Sequence, residues 1–133
     1  MTRINVVPVQ ELCDQHLLAE YREITRIPNT IVSGKAKLDG HYPKNYCLGT
    51  GHVKFFYSRL KWLHKHYDAI HAECLARGFN VSYKWPKDVP LRLYNGWEPA
   101  PEDLELNRAR IRDRMPIKAR YYGQDYKELG RGQ

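Results

Sequence analysis

The fold class is decided by one stretch of the chain, residues 51–78, which reads GHVKFFYSRLKWLHKHYDAIHAECLARG. Apolar side chains recur along it in steps of three and four, which places them on one face of an α-helix. These positions are Val53, Phe56, Leu60, Leu63, Tyr67, Ile70 and Cys74. Gly51 precedes the pattern and Gly78 follows it, where helices commonly end on glycine. The stretch predicts one long, continuous helix whose apolar face lies in the core.

A first helix is predicted upstream of this stretch, from about Gln10 or Asp14 to Arg26. Pro28 follows it and is expected to break it, because proline lacks a backbone N–H and its ring clashes with the preceding turn. Pro8 excludes a helix from the N-terminal segment for the same reason. Residues 29–48 contain Gly34, Gly40 and Pro43, and they predict a long, tyrosine-bearing loop, with a short helical turn at its start as an alternative.

A third helix is predicted to open at Pro99-Ala-Pro-Glu-Asp and to end at Pro116. Its acidic residues come first and its arginines last, which suits the helix dipole. The alternation of β-branched residues that is typical of strands is nearly absent. We therefore expect an all-α fold in which residues 1–133 form a single compact domain of three main helices with long irregular connections.

The chain has 133 residues, a length that suits one domain. Its longest apolar runs fall well short of the roughly 20 residues that span a membrane, and the N-terminus lacks the apolar core of a signal peptide. The three cysteines have no paired spacing: Cys13, Cys47 and Cys74. This pattern argues against a disulfide framework and favours a reducing, cytoplasmic compartment. Cys13 and Cys74 lie on or beside apolar stripes and are expected to be buried thiols.

Charge and aromatic content give the first indication of function. Lys and Arg number 22 against 15 Asp and Glu, a net charge of +7, and the chain has ten tyrosines and three tryptophans. Cations that neutralise phosphates and rings that stack on bases are typical of nucleic-acid-binding proteins. The alternative is a basic soluble protein without such a partner.

The predicted first helix carries a distinctive polar face. At about 100° per residue, five residues fall within an arc of about 120°: His16, Ala19, Arg22, Glu23 and Arg26. The neighbouring arc, expected to face the core, carries Leu17, Tyr21 and Ile24. Cations around Glu23 favour its ionised form, and the arginines are suited to binding phosphates. The alternative is a solvated face on which Glu23 and Arg26 form an ordinary ion pair.

Two weaker motifs carry less functional information. Possible metal ligands cluster in the middle of the chain: His64, His66, Asp68 and His71. They match no HExxH or cysteine-pair spacing, and His64 and His66 point to different helix faces, so no metal site is expected. The Gly49–Gly51 turn resembles part of a phosphate loop but lacks the following Lys-Ser/Thr. We expect it to cap a helix.

Several short segments resemble a known family in order: MTRIN (1–5), DQHL (14–17), AEYRE (19–23), LGTGHV (48–53), FFY (55–57), AECL (72–75) and RGFN (77–80). Together they resemble the phage-type pyrimidine-dimer DNA glycosylase/AP lyase family, also called UV-damage endonuclease V. The resemblance runs in register through Arg26, resumes from about Leu48 to Asn80 and returns weakly at Tyr121–Gly123. The family fold it implies is a single domain of three helices with little or no sheet.

The resemblance implies a catalytic set. Its nucleophile is the α-amine of Thr2, which removal of Met1 exposes, and its essential acid is Glu23. Arg22 and Arg26 flank that acid and hold the DNA backbone. The implied reaction excises the 5′ base of a cyclobutane pyrimidine dimer in duplex DNA through a Schiff base and then nicks the abasic site by β-elimination. An α-amine has a reference pKa of about 7.7–8.0, so a useful fraction is neutral and nucleophilic at physiological pH.

The resemblance also implies partners. DNA contacts are expected from a wider set of polar and basic residues: Arg3, Gln15, His16, Arg22, Arg26, Arg110, Arg114, Lys118 and Arg120. The implied partner is double-stranded DNA with UV photoproducts or abasic sites, bound by a monomer in the cytosol of a bacterium or a phage-infected host. No cofactor and no metal are implied.

The sequence departs from the family pattern in three places. The segment between Arg26 and Leu48 is shorter, Thr25 replaces a proline, and Lys118–Arg120 replaces an aromatic run that includes tryptophan. These changes spare the catalytic positions and affect the lesion-binding tail. Two alternatives remain at this point: a damaged-DNA-binding module of the same fold without chemistry, and a metal-dependent nuclease.

Overall fold

The computed structural model describes residues 3–125, and in this range the fold is all-α. Its helices are α1 (Asp14–Ile24), α2 (Arg26–Val32), α3 (His52–Tyr57), α4 (Leu60–Ala76) and α5 (Pro101–Asp113). Single 3-10 turns lie at Val9–Glu11 and Leu91–Leu93. A small antiparallel hairpin pairs β1 (Arg120–Tyr121) with β2 (Gln124–Asp125). The longest helices, α1, α4 and α5, are the three that the sequence predicts.

The prediction of one continuous helix over residues 51–78 is wrong, because the chain breaks between α3 and α4. Arg59 leaves the helical conformation, with φ −131° and ψ 41°. Its guanidinium donates to the carbonyl of Phe55 at 2.7 Å, an oxygen that the Arg59 N–H would bond in an unbroken helix. That N–H turns instead to the carbonyl of Phe56 at 3.0 Å. The apolar stripe itself is confirmed, since Phe56, Leu60 and Leu63 are fully buried.

The predicted end of the first helix is also wrong. Helix α1 ends at Ile24, the chain turns at Thr25, and α2 then begins at Arg26 with Pro28 in its first turn. The first backbone N–H groups of a helix have no partner within it, so a proline costs no hydrogen bond there. Pro28 is therefore a buried residue of a second helix, and the loop begins only at Ser33.

The core forms where α1 packs against α4. Leu17, Tyr21 and Ile24 are buried, which confirms the predicted inner face of α1. Gly78 adopts φ 83°, and the N–H of the next residue donates to the carbonyl of Cys74 at 2.9 Å, which closes α4 as predicted. Cys13 and Cys74 are buried free thiols, as expected.

The N-terminal segment 4–7 lies outside the helices and strands and is buried, and its main-chain hydrogen bonds go to side chains from distant parts of the chain. We call this set the buried clasp: Glu20, Tyr46, His52 and Asn107. Asn107 is fully buried, and its Oδ1 accepts the N–H groups of Val6 at 2.7 Å and Val7 at 3.2 Å. The clasp thus fixes the course of the chain immediately after Arg3.

His52 holds its part of the clasp as a neutral ring. Its Nε2 accepts the N–H of Ile4 at 2.8 Å, so the proton lies on Nδ1, which donates to the carbonyl of Cys47 at 2.7 Å. Burial lowers the pKa of His52, and the nearby charge of Arg3 adds to this effect, while the bond to Cys47 and the charge of Glu20 oppose it. Protonation places a second donor against the Ile4 N–H.

This arrangement predicts a loss of stability in mild acid. The unfolded chain takes up a proton on His52 near pH 6.5, while the folded chain resists it. The contribution of His52 to stability is therefore complete above that pH and falls as the pH drops toward the lowered pKa of the folded state. Urea unfolding of wild type and His52→Gln between pH 5 and 8 measures the effect. The difference between their free energies of unfolding should shrink as the pH falls, and a constant difference contradicts the prediction.

Candidate active site

The exposed face of α1 forms one wall of a cleft of about 400 Å³. The N-terminal segment and α5 complete it, and the lining residues are Arg3, Asn5, His16, Ala19, Glu23, Arg110, Ile111 and Arg114. Tertiary packing therefore brings together five of the residues that the sequence predicts to act on DNA: Arg3, His16, Glu23, Arg110 and Arg114. Three of these are arginines around a single carboxylate.

Glu23 is held in the cleft with an incomplete set of partners. Its side chain is 20% exposed, and Arg26 Nη1 lies 3.1 Å from Oε2. This contact is an ion pair, and Oε2 is buried without a hydrogen-bond donor from residues 3–125. A buried carboxylate oxygen normally has such a donor, because leaving it unpaired costs free energy. The predicted acid thus lines the cleft with an ion pair to Arg26 as its contact to a cation among the described residues.

The cations of the cleft are crowded. Arg3 is fixed by a 2.6 Å bond from Nε to the carbonyl of Leu48, which directs it along the cleft wall. Burial lowers the pKa of the Arg110 guanidinium, and the charges of Arg114 and Arg3 lower it further. Like charges held together in this way favour binding of a polyanion, which relieves their mutual repulsion.

Other predicted DNA-binding residues lie outside the cleft lining. Arg22 on α1 and Arg26, the first residue of α2, are exposed, and Arg26 keeps 69% of its side chain accessible beside the Glu23 carboxylate. Lys118 and Arg120 are exposed on the segment after α5. These cations extend the positive surface beyond the cleft rim.

Gln15 is placed differently from what a free lesion contact requires. Its Nε2 donates to the carbonyl of Lys118 at 2.7 Å, and its Oε1 accepts the N–H of Arg120 at 3.0 Å. Next to it, His16 Nε2 lies 3.1 Å from the carbonyl of Arg114. Both side chains thus tether the segment after α5 to the start of α1. Thr2 and Met1 fall outside the described residues.

Two lining residues were not predicted, Asn5 and Ile111. The place of Asn5 in the lining depends on how the N-terminal segment packs beside α1 and α5, which no local sequence pattern indicates. The amide of Asn5 also donates to Glu20 Oε1 at 2.6 Å, which links the cleft to the buried clasp. The position of Ile111 depends on how α5 packs, for which the sequence carries no local signal.

The possible metal ligands on α4 have other partners. His66 Nε2 lies 2.6 Å from Glu20 Oε2, and its ring stacks on Trp62. His64 stacks on Trp85 elsewhere on α4. Within residues 3–125, groups of His, Cys, Asp and Glu that could hold a metal ion are absent. A helix suited to crossing a bilayer is likewise absent from this range.

The Gly49–Gly51 turn caps α3, as expected. Gly51 adopts φ 92°, and its carbonyl accepts the N–H of Phe55 at 2.9 Å. A Cβ at Gly51 would lie 3.0 Å from Pro43 Cγ, so glycine is required by conformation and by space.

A cluster of arginines around a single carboxylate in a cleft, on a small helical scaffold, is the arrangement of an enzyme that acts on a polyanion. The family model described as pyrimidine dimer DNA glycosylase matches residues 1–87, more than half of the chain. The chain belongs to this family, and DNA containing pyrimidine dimers is its substrate class. The matched range ends before α5, so the place of Arg110 and Arg114 in the site rests on the geometry of the cleft.

Proposed function

We propose that this enzyme excises the 5′ base of cyclobutane pyrimidine dimers in duplex DNA through a Schiff base on the Thr2 α-amine, and then nicks the abasic site by β-elimination. The observation that carries the proposal is the Glu23 carboxylate, whose buried Oε2 lacks a hydrogen-bond donor from residues 3–125 and which lies in a cleft lined by arginines.

The nucleophile comes from the N-terminus. Thr2 is joined directly to Arg3, a lining residue of the cleft, and removal of Met1 frees its amine. The amine nitrogen bonds to C1′ of the 5′ sugar while the bond from C1′ to the base breaks, and the base departs with the electron pair. The sugar ring then opens to leave an imine. Loss of the C2′ proton expels the 3′ phosphate and breaks the strand.

Glu23 has two roles in this sequence of steps. Its negative charge stabilises the positive charge that develops on the sugar as the base leaves. Afterwards the carboxylate assists proton transfer during ring opening and β-elimination. Both roles require a carboxylate that the sugar can approach, and Glu23 lines the cleft with 20% of its side chain exposed.

The cations position the DNA. Arg22 on α1 and Arg26 at the start of α2 flank the acid, and their planar guanidinium groups can each bind a phosphate through two hydrogen bonds. Arg3, Arg110 and Arg114 line the cleft itself and would hold the backbone on the other side of the lesion. Such contacts fix the register of the sugar against the amine and the acid.

Borohydride trapping tests the proposal. Reduction of the imine should give a covalent complex between the protein and duplex DNA that carries a pyrimidine dimer or an abasic site. Protein with a free Thr2 amine should form it, whereas protein that retains Met1 or is acetylated at its N-terminus should not. Full activity in EDTA would exclude the metal-dependent nuclease. Tight binding of damaged duplex by correctly processed protein, without trapping, would indicate a non-catalytic damaged-DNA-binding module of the same fold.

A further inference from the structure

The segment after α5 displays an aliphatic side chain to solvent. Ile117 is 91% exposed, and Met115, two residues earlier, is 37% exposed. Single exposed aliphatic residues are common and by themselves carry no meaning. Here the surroundings are unusual, because the backbone on both sides is fixed and the neighbouring side chains are cationic. We call residues 114–120 the wedge turn.

The wedge turn is anchored to α1 on both sides of Ile117. Before it, the carbonyl of Arg114 lies 3.1 Å from His16 Nε2. After it, the two ends of the Gln15 amide bond the backbone of Lys118 at 2.7 Å and of Arg120 at 3.0 Å. Ala119, between these bonds, is 3% exposed, so the turn is also packed against the protein. The aliphatic side chain thus projects from a rigid base.

A second set of bonds anchors the chain just beyond the turn. The Asp14 carboxylate accepts the N–H groups of Tyr122 at 3.0 Å and Gly123 at 2.7 Å. Arg77, whose side chain is fully buried, holds that carboxylate at 3.0 Å and Glu73 at the same distance. The Tyr122 hydroxyl donates to Glu73 Oε2 at 2.9 Å. These contacts fix the wedge turn from its C-terminal side.

Charge identifies the partner. Four exposed cations lie along and beside the turn: Arg112, Arg114, Lys118 and Arg120. Arg114 also lines the active-site cleft, so the turn borders the place where a lesion would bind. An aliphatic residue displayed between cations matches a polyanion with an apolar interior, which describes the base stack of a DNA duplex. The wedge turn contains isoleucine, methionine and proline, which are among the residues that proteins insert between base steps.

We propose that the wedge turn inserts Ile117 into the base stack beside the lesion while the flanking cations bind the adjacent phosphates. The inference rests on the proposed function for its duplex substrate and adds a residue that opens the duplex. A pyrimidine dimer already disturbs stacking, which lowers the cost of insertion and gives the wedge a preference for damaged sites. Rigid anchoring by Gln15 and His16 serves this role, because a mobile wedge would lose entropy on insertion.

Ile117→Ala tests the wedge without disturbing the fold, since the side chain is almost entirely exposed. Leu91→Ala is the matched control, because Leu91 is 87% exposed on a 3-10 turn that does not line the active-site cleft. The probe is a duplex with one pyrimidine dimer and 2-aminopurine in the adjoining base pair. Wild type and Leu91→Ala should raise its fluorescence on binding, whereas Ile117→Ala should lose most of this rise and roughly tenfold in preference for damaged duplex.

Trapping on a single-stranded abasic oligonucleotide separates this proposal from the proposed function. No duplex has to be opened there, so Ile117→Ala should be trapped as efficiently as wild type. An unchanged fluorescence rise and unchanged damage preference in Ile117→Ala overturn the wedge, whatever the trapping result. Absence of trapping in wild type overturns the Schiff-base chemistry, while an Ile117-dependent fluorescence rise in the same protein would leave the wedge standing.

Discussion

Glu23→Gln is expected to lower strand cleavage of dimer-containing duplex at least a hundredfold while leaving binding of the same duplex nearly unchanged. The amide keeps the size of the side chain but loses the charge that stabilises the cationic sugar, and it can no longer exchange a proton. General acid–base catalysis contributes roughly 10²- to 10⁴-fold, and a well-placed electrostatic group roughly 10²- to 10³-fold. Binding should persist because the arginines that hold phosphates remain.

Single-turnover cleavage and gel-shift affinity on the same duplex measure the two effects separately. Glu105→Gln is the matched control, since Glu105 is an exposed residue of α5 outside the cleft lining and the chemical change is identical. That variant should cleave at the wild-type rate. Undiminished cleavage by Glu23→Gln would show that another group supplies the acid.

The positions of the main helices could be predicted because the information is local. Spacing alone places Leu17, Tyr21 and Ile24 on the inner face of α1 and Glu23 on the outer one, as the structure has them. The break at Arg59 could not be predicted in this way. It depends on a guanidinium that captures the Phe55 carbonyl and lies over the Phe55 ring, 3.8 Å from its centroid, an interaction to which helical periodicity is blind.

The candidate active site likewise combines features that local sequence predicts with features that only tertiary packing determines. The polar face of α1 is visible in the sequence, whereas its enclosure by Arg3, Arg110 and Arg114 depends on how α5 packs across the chain. The buried clasp joins residues that are even farther apart in the sequence. The side chains that bond Ile4 and Val6 come from residues 48 and 101 positions away. Since the partners of a buried polar group become known only from the fold, these roles could not be predicted from local sequence patterns.

Asn107→Ala is expected to lower the free energy of unfolding by roughly 3 to 5 kcal/mol. It leaves three buried polar groups without their partner, and each such group costs about 1–3 kcal/mol. The Asn107 Oδ1 accepts the N–H groups of Val6 and Val7, and its Nδ2 donates to Asn5 Oδ1 at 2.8 Å. Alanine removes these bonds at a fully buried position, where water does not replace them. Set against a typical total stability of about 5–15 kcal/mol, the loss is severe.

Urea unfolding measures this loss, and Asn95→Ala is the matched control. The Asn95 side chain makes two bonds against the three of Asn107, from Nδ2 to the carbonyls of Ser58 and Arg92 at 3.0 Å each, but it is exposed, so water can replace them. Its removal should cost less than about 1 kcal/mol. Equal losses in the two variants would show that burial of the clasp adds nothing to its hydrogen bonds.

The effect of Asn107→Ala on chemistry follows from what the clasp holds. It fixes Ile4–Val7, and the proposed nucleophile lies two residues before Ile4, so a loosened segment lets the amine sample positions away from Glu23. At a temperature where the variant is still folded, the trapping rate at saturating DNA should therefore fall while affinity for damaged duplex stays close to that of wild type. Glu23→Gln should leave the free energy of unfolding nearly unchanged, because the ion pair that it loses involves the largely exposed Arg26, and such pairs contribute at most about 1 kcal/mol. Loss of rate with loss of stability identifies a positioning residue, and loss of rate alone identifies the acid.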